Sequence, residues 1–279
     1  MKKLFGFIVF AFLISGAACS VADRLDPSAP APSGSASLDP LGYGEGTMVK
    51  LYYSKCYATY TFGTGKFIGY IEVENAAYRK EVVVHYTLGS EWKDIAASYL
   101  KSIPGNKEIW YFALDGIGFN PFAGWDVRFA VRYTVNGQTY WDNNNGQDYM
   151  TGTGPRNFSA EFAWGKSIVA MQYASYGQND TEKFFNCRIF TKYAEGDKSV
   201  KIVYTEDNWA TVKEAQAQYV YDDSDFTGGN KASVWWAYAP LAGTPENVSF
   251  AISYTLNGAA AWDNNFGRNY TVSPGTIWE

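Results

Sequence analysis

Apolar and polar residues alternate along this chain in short runs, and the period is two. Phe129, Val131, Tyr133 and Val135 fall on one side of a run whose other side carries Arg128, Ala130, Arg132 and Thr134, the pattern of a half-buried strand. Val82-Val83-Val84-His85-Tyr86 and Val200-Lys201-Ile202-Val203-Tyr204 are further β-branched and aromatic runs, suited to a pleated surface. Asn136-Gly137 and Asn257-Gly258 each follow such a run. A type I′ turn needs positive φ at both central residues, so both pairs predict tight hairpins. Many short strands with frequent turn signals predict an all-β chain of antiparallel immunoglobulin-like sandwiches. Residues 95–99 and 211–219 are expected to hold a helical turn at most.

The pattern repeats. VRFAVRYTVNGQTYWDNNNGQDY at 127–149 and VSFAISYTLNGAAAWDNNFGRNY at 248–270 share thirteen identical positions. VVVHYTLGSEW at 82–92 and VKIVYTEDNW at 200–209 form a second matched pair in the same order. Two blocks at nearly one offset mean a duplicated domain of ordinary single-domain size. The copies are placed at 47–152 and 165–275, giving two tandem sandwiches with a joint beginning near Gly152.

The amino terminus reads differently. Lys2 and Lys3 precede an apolar run over 4–14, too short to span a bilayer, and small residues follow at 15–18. This predicts a secretory signal peptide over 1–18. Cys19, directly after Ala17-Ala18, is expected to be the lipidated residue of a bacterial lipoprotein, with plain secretion the alternative. A Pro/Ala/Ser-rich stretch follows, and 19–46 is read as a flexible tether. The expected location is the cell envelope or surface.

Composition narrows the chemistry. Net charge is −5 and charged residues are only 18%, which argues against a phosphate-tracking nucleic-acid binder. One His and three Cys argue against a spaced zinc site, so no metal or cofactor is expected. Cys56 and Cys187 are read as buried thiols in separate strands, and His85 as a strand-face or packed histidine. The 10 Trp, 22 Tyr and 18 Phe make 18% of the chain, more than core packing alone usually takes. Each copy ends in a Trp-Asp-Asn-Asn-x-Gly block. An indole can stack on the C–H face of a sugar, and an Asn amide offers both donor and acceptor to adjacent hydroxyls. The same residues can instead build a loop, with Asp142 and Asp263 capping the turn and Gly146 and Gly267 making it. The motif alone leaves both readings open.

WDNNNGQDY and WDNNFGRNY resemble the carboxy-terminal signature of the family 21 carbohydrate-binding module, the starch- and glycogen-binding domain. In the first copy the resemblance extends over GYIEVENAAYRKEVVVHYTLGSEW (69–92), IAASY (95–99) and WYF (110–112); in the second it holds over 200–219 and 248–270. It implies an immunoglobulin-like sandwich that binds α-1,4-glucan without catalysis. By position, Trp92 and Trp141 match the aromatic platform of the family's main site. Asn143 matches its polar partner, Asn144 follows in the motif, and Ala130 stands where the family has a further ring. Tyr78, Lys80 and Tyr99 match a second site, whose third ring falls near Lys107. In the second copy Trp209, Trp262, Asn264 and Asn265 match the main site. Of its second site only Lys198 and Tyr219 remain, with Gly196 near the expected tyrosine.

Three alternatives are weighed against an α-glucan partner. A glycosidase needs two carboxylates facing one substrate, whereas Asp142 and Asp263 sit at equivalent positions in separate copies. Phosphatase docking is suggested by the Val-x-Phe spacing at 127–129 and 248–250, but both segments open predicted core strands. A structural or adhesion module recognising protein or another glycan is the third. Membrane contact is expected only through the lipid, and partner enzymes are not specified.

Overall fold

The computed structural model describes residues 47–58, 64–89, 91–118, 125–153, 161–223 and 231–278. The expected signal peptide over 1–18, Cys19 and the expected tether over 19–46 lie outside these residues. Among them every regular element is a strand. The first module contains β1 (Val49–Ala58), β2 (Thr64–Glu74), β3 (Lys80–Thr87), β4 (Trp92–Ala96), β5 (Ser98–Ile103), β6 (Lys107–Gly118), β7 (Trp125–Val135), β8 (Gln138–Asp142), β9 (Tyr149–Thr153) and β10 (Glu161–Trp164). The second contains β11 (Val169–Gln178), β12 (Lys183–Lys192), β13 (Lys198–Thr205), β14 (Lys213–Gln216), β15 (Gln218–Asp223), β16 (Ala232–Pro240), β17 (Val248–Leu256), β18 (Ala259–Asp263), β19 (Tyr270–Val272) and β20 (Ile277–Trp278).

Each module is a sandwich of two antiparallel sheets. The first pairs β10-β1-β2-β6-β5 with β4-β3-β7-β8, β9 adding to β7; the second pairs β20-β11-β12-β16-β15 with β14-β13-β17-β18, β19 adding to β17. The two-residue period places Phe129, Val131, Tyr133 and Val135 in the first core with Phe67, Ile71 and Phe112. Phe250, Ile252 and Tyr254 do the same in the second, against Phe185 and Ile189. Val127 and Val248 are fully buried there too, so the Val-x-Phe segments are core. Both hairpins form as expected, with φ of 52° and 74° at Asn136-Gly137 and 49° and 84° at Asn257-Gly258, the region only Asn and Gly enter cheaply. Cys56 and Cys187 are buried in β1 and β12, and neither is in a disulfide.

The two segments expected to hold a helical turn are strands instead. β4 and β5 are divided at Ala97, whose N–H donates to the Val82 carbonyl (2.9 Å), and β14 and β15 at Ala217, whose N–H donates to Val200 (2.8 Å). At each break the chain leaves one sheet for the other, and a small residue fits the crossing. Sheet pairing gives the backbone on both sides of the crossing hydrogen-bond partners, which a lone helical turn supplies poorly.

A buried carboxylate clasps each sandwich. Asp142, at the end of β8, accepts from the Leu51 N–H (2.7 Å), the Lys50 ammonium (3.0 Å) and the Tyr149 hydroxyl (2.8 Å). Leu51 lies at a bulge in β1, where Tyr52 is the extra residue, so its amide is free of the ladder and aimed across the sandwich. The second module repeats this: Asp263 accepts from the Met171 N–H (2.9 Å) and the Tyr270 hydroxyl (2.7 Å), with the bulge between Met171 and Tyr173.

The modules dock on each other. Phe162 and Trp164 of β10, with Tyr53, form a buried cluster with Ala170, Phe190, Ala232 and Val234 of the second module. β10 pairs with β1, so residues just before the second module complete a sheet of the first. The Lys55 ammonium crosses the junction and donates to the Gln172 carbonyl (3.1 Å).

Removing a partner from a buried ion pair strands the other charge. Asp142→Ala should therefore cost the first module about 3–5 kcal/mol, read as a lower midpoint in urea unfolding. Arg128→Ala, which removes an exposed partner of Asp148, should change stability by less than about 1 kcal/mol.

Candidate functional site

The outer face of the β4-β3-β7-β8 sheet carries the first module's platform. Trp92 opens β4, opposite Thr87, and Trp141 lies in β8, opposite Arg132. His85, between them on β3, stacks under Trp92 at 4.8 Å and 11° and meets Trp141 edge-on at 6.0 Å and 77°. Asp94 holds this arrangement from one side, accepting from Arg132 (3.0 Å) and pairing with His85 Nδ1 (2.6 Å). Those contacts, with the His85 hydrogen bond foremost, pull the Asp94 carboxyl below the usual range. The Arg132 guanidinium lies 5.9 Å from the Trp141 ring, within cation–π range. Two tryptophans are thus fixed by a polar cluster yet 41% and 49% exposed. His85, read from sequence as a strand-face residue, is the floor of the platform. Its neighbours in the sequence gave no sign of this, since Asp94 and Arg132 reach it only through strand pairing.

Beside Trp141, the Asn-rich loop divides its amides between turn and solvent. Asn143 Oδ1 accepts from the Gly146 N–H (3.0 Å), and Asn144 Nδ2 donates to the Asp148 carbonyl (3.1 Å). Asn144 and Asn145 hold φ of 51° and 58°, and Gly146 89°. The motif therefore builds its own turn, as the structural reading expected. Among the described residues it still leaves the Asn143 Nδ2 donors and the Asn144 Oδ1 acceptor without partners. Asp142, by contrast, is buried in the clasp and takes no place on the surface. Ala130, paired with His85 across β3 and β7, lies on this face and is buried.

The second module has the same loop and a different platform. Trp262 lies opposite Ser253 in β18, Asn264 Oδ1 accepts from Gly267 (2.8 Å) and Asn265 Nδ2 donates to Asn269 (3.1 Å). Val203 replaces His85, and Trp209 and Trp262 pack half-buried over Val203 and Ala251. Trp209 does not open a strand. It stands in the loop 206–212 at φ 70°, an uncommon conformation for a bulky residue. A hydroxyl–carboxylate cage holds it there. Thr205 Oγ1 accepts from the Trp209 N–H (2.9 Å) and donates to Asp207 (2.7 Å), which also takes the Thr211 N–H (2.8 Å) and hydroxyl (2.7 Å). These donors, Thr211's hydroxyl foremost, lower the Asp207 carboxyl to about 2. Asp263 is raised instead, chiefly by burial. Sequence reasoning missed Asp207, although a Thr-x-Asp-x-x-x-Thr run is a loop-capping signal.

The residues matched to a second site are dispersed in character. Tyr78 is fully exposed and Tyr99 53% exposed, Tyr99 meeting Trp110 edge-on at 6.1 Å. Lys80 has its ammonium committed to Glu108 (2.8 Å) and to Asn75, with 5% of its side chain exposed. In the second module Tyr219 is half exposed and Lys198 lies over the Tyr193 ring at 5.3 Å.

Residues 45–151 and 166–273 match the carbohydrate/starch-binding module (family 21). Glucoamylase 1 of Rhizopus oryzae is 39% identical over 101 residues, 34% of this chain and 16% of that protein. Protein phosphatase 1 regulatory subunit 3C of Bos taurus is 34% identical over 85 residues, 29% of this chain and 26% of that protein. The chain thus spans about a quarter or less of these two relatives. The starch-binding domain of Rhizopus oryzae glucoamylase, solved with β-cyclodextrin and maltoheptaose, is 34% identical and covers 39% of this chain and 97% of its own, at a TM-score of 0.31. The match over both repeats, one after the other, places the chain in the family of carbohydrate/starch-binding modules (family 21), as a tandem pair.

Proposed function

We propose that the chain captures α-1,4-glucan, as starch, glycogen or a related polymer, through two modules and without catalysis. The observation that carries this reading is the pair of exposed indoles, Trp92 and Trp141, fixed side by side with half-free asparagine amides next to them. A sugar face buries apolar area on the rings while its hydroxyls pair with the amides. Trp209, Trp262, Asn264 and Asn265 supply the second site. Two linked sites raise apparent affinity for a long polymer when both are engaged.

The carboxylates support a binding role. Asp142 and Asp263 each spend their oxygens on a buried clasp in their own module, so neither is disposed to act as acid or nucleophile on a sugar above. We further propose export through the 1–18 signal, anchorage by lipid at Cys19, and display on the 19–46 tether.

Affinity electrophoresis in glycogen or amylopectin gels should retard the full chain. Trp141→Ala and Trp262→Ala should each weaken their own site about a hundredfold or more, about 2.8 kcal/mol, and the double variant should migrate almost freely. Unchanged migration in every α-glucan would remove the functional reading. Cys19→Ser should release the protein from membranes into the medium on fractionation.

The second site should also fail in acid. Asp207 titrates near 2 when folded and near 3.9 when unfolded. A depressed carboxyl contributes above its unfolded value, and the contribution is lost as pH falls toward the folded one. In a Trp141→Ala background, binding should therefore hold down to about pH 4 and decline between about 4 and 2. Asp207→Asn should bind more weakly at neutral pH and flatten that profile.

A further inference from the structure

The signature loop of the second module ends against the first module. The Phe266 ring meets Tyr52 at 4.9 Å and 61° and Tyr70 at 4.9 Å and 54°. The Lys101 ammonium donates to the Phe266 carbonyl (2.5 Å), and the Arg268 guanidinium donates to the Leu100 carbonyl (3.1 Å). The two loops differ at three positions, and two of them make these contacts: Phe266 stands where the first loop has Asn145, and Arg268 where it has Gln147, the third being Asn269 for Asp148.

The backbone sharpens the point. Asn145 and Phe266 share the left-handed region, at φ 58° and 54°. Asparagine enters that region readily; a phenylalanine does so at a cost. The second loop thus carries a residue worse for its own turn, and the compensation is a ring packed on two tyrosines of the other module. Behind the loop the dependence recurs. Ala170 occupies the position that Lys50 holds in the first clasp, so Asp263 gains no ammonium from its own first strand. The Tyr270 hydroxyl and the Met171 and Asn265 amides stabilise it first, and the first module's Lys55, bound to the Gln172 carbonyl next to Met171, adds a smaller favourable charge.

We infer that the first module is a structural part of the second module's glucan site. Phe266 and Arg268 are positioning residues: docked on Tyr52, Tyr70 and Leu100, they hold Asn264 and Asn265 in the geometry that flanks Trp262. This rests on the reading of Trp262 and its neighbours as a glucan site. Both loops close with the same asparagine bonds; in the second, the neighbouring module also holds the residue at the left-handed position that asparagine fills in the first.

The test uses full-length chains and maltoheptaose, followed by calorimetry and by hydrogen exchange of the loop amides. With the first site silenced by Trp141→Ala, adding Phe266→Ala should raise Kd about tenfold, and Phe266→Tyr should restore it. With the second site silenced by Trp262→Ala, Phe266→Ala should leave Kd unchanged. Exchange over 264–269 should quicken in Phe266→Ala while exchange over 143–148 stays as it was. Unchanged Kd in the Trp141→Ala background would overturn the inference. If the Trp141→Ala chain binds no maltoheptaose at all, the second glucan site fails as a reading; the positioning claim then falls too if exchange over 264–269 is unaltered by Phe266→Ala, and its structural part stands if that exchange quickens.

Discussion

Each sandwich is organised by one interaction: a buried aspartate at the end of a hairpin strand takes the backbone amide that a bulge frees in the first strand. Stacked sheets are otherwise held by apolar contact, which is non-directional and tolerates sliding. A carboxylate bonded to a bulge amide and a tyrosine hydroxyl sets one register between the layers. Trp141 and Trp262 immediately precede these aspartates, and the Asn-rich loops immediately follow. A surface ring and a turn that are each next to an anchored residue inherit its position. The motif is therefore one device in which the buried Asp fixes what the exposed Trp and Asn present.

Duplication gave this device twice, and the copies then diverged in what lies around it. The first copy neutralises its clasp with Lys50 and floors its platform with His85, held by Asp94 and Arg132. The second has Val203 as floor, sinks its tryptophans halfway, and fixes Trp209 with a cage of threonines and an aspartate. Its clasp has no ammonium of its own and rests on the Met171 amide and the Tyr270 hydroxyl. The abundance of aromatic residues follows from this history. Many fill two cores, and Tyr52, Tyr53, Tyr70, Phe162, Trp164 and Phe190 line the junction between modules. Only a few remain for a ligand.

The period-two runs and the Asn-Gly turns were enough to read both cores and both hairpins, because strand faces and turn φ values are local matters. The repeat made the tandem organisation legible. The segments at 95–99 and 211–219 were misjudged because their strands pair with distant partners and switch sheets at a single alanine, which leaves no local period. The candidate site was named in the sequence as a set of tryptophans and asparagines, and strand pairing brings Trp92, Trp141 and His85 together on one sheet face. Its support was not legible there, since His85, Asp94 and Arg132 meet through strand register, and Asp142, read as a cap of its own turn, reaches the Leu51 amide of a distant strand. The docking of Phe266 has no trace in a one-chain pattern, because an aromatic in a polar loop reads equally well as surface.

Docking changes how tandem binding should be thought of. Two modules on a slack linker explore many separations, and the second binding event is governed by linker length. Here β10 is sheet on one side and its rings are buried against the other module, so separation and orientation are fixed by packing. A fixed pair loses less freedom when a polymer spans both sites, and it discriminates, because a chain whose path does not match the spacing gains nothing from the second site. The helical course of an α-glucan has a defined rise and turn, so a rigid pair can favour particular segments of it where a loose pair would take any. Under the proposed function the junction would shape recognition as much as the tryptophans do, although Phe162 and Trp164 are themselves buried between the modules.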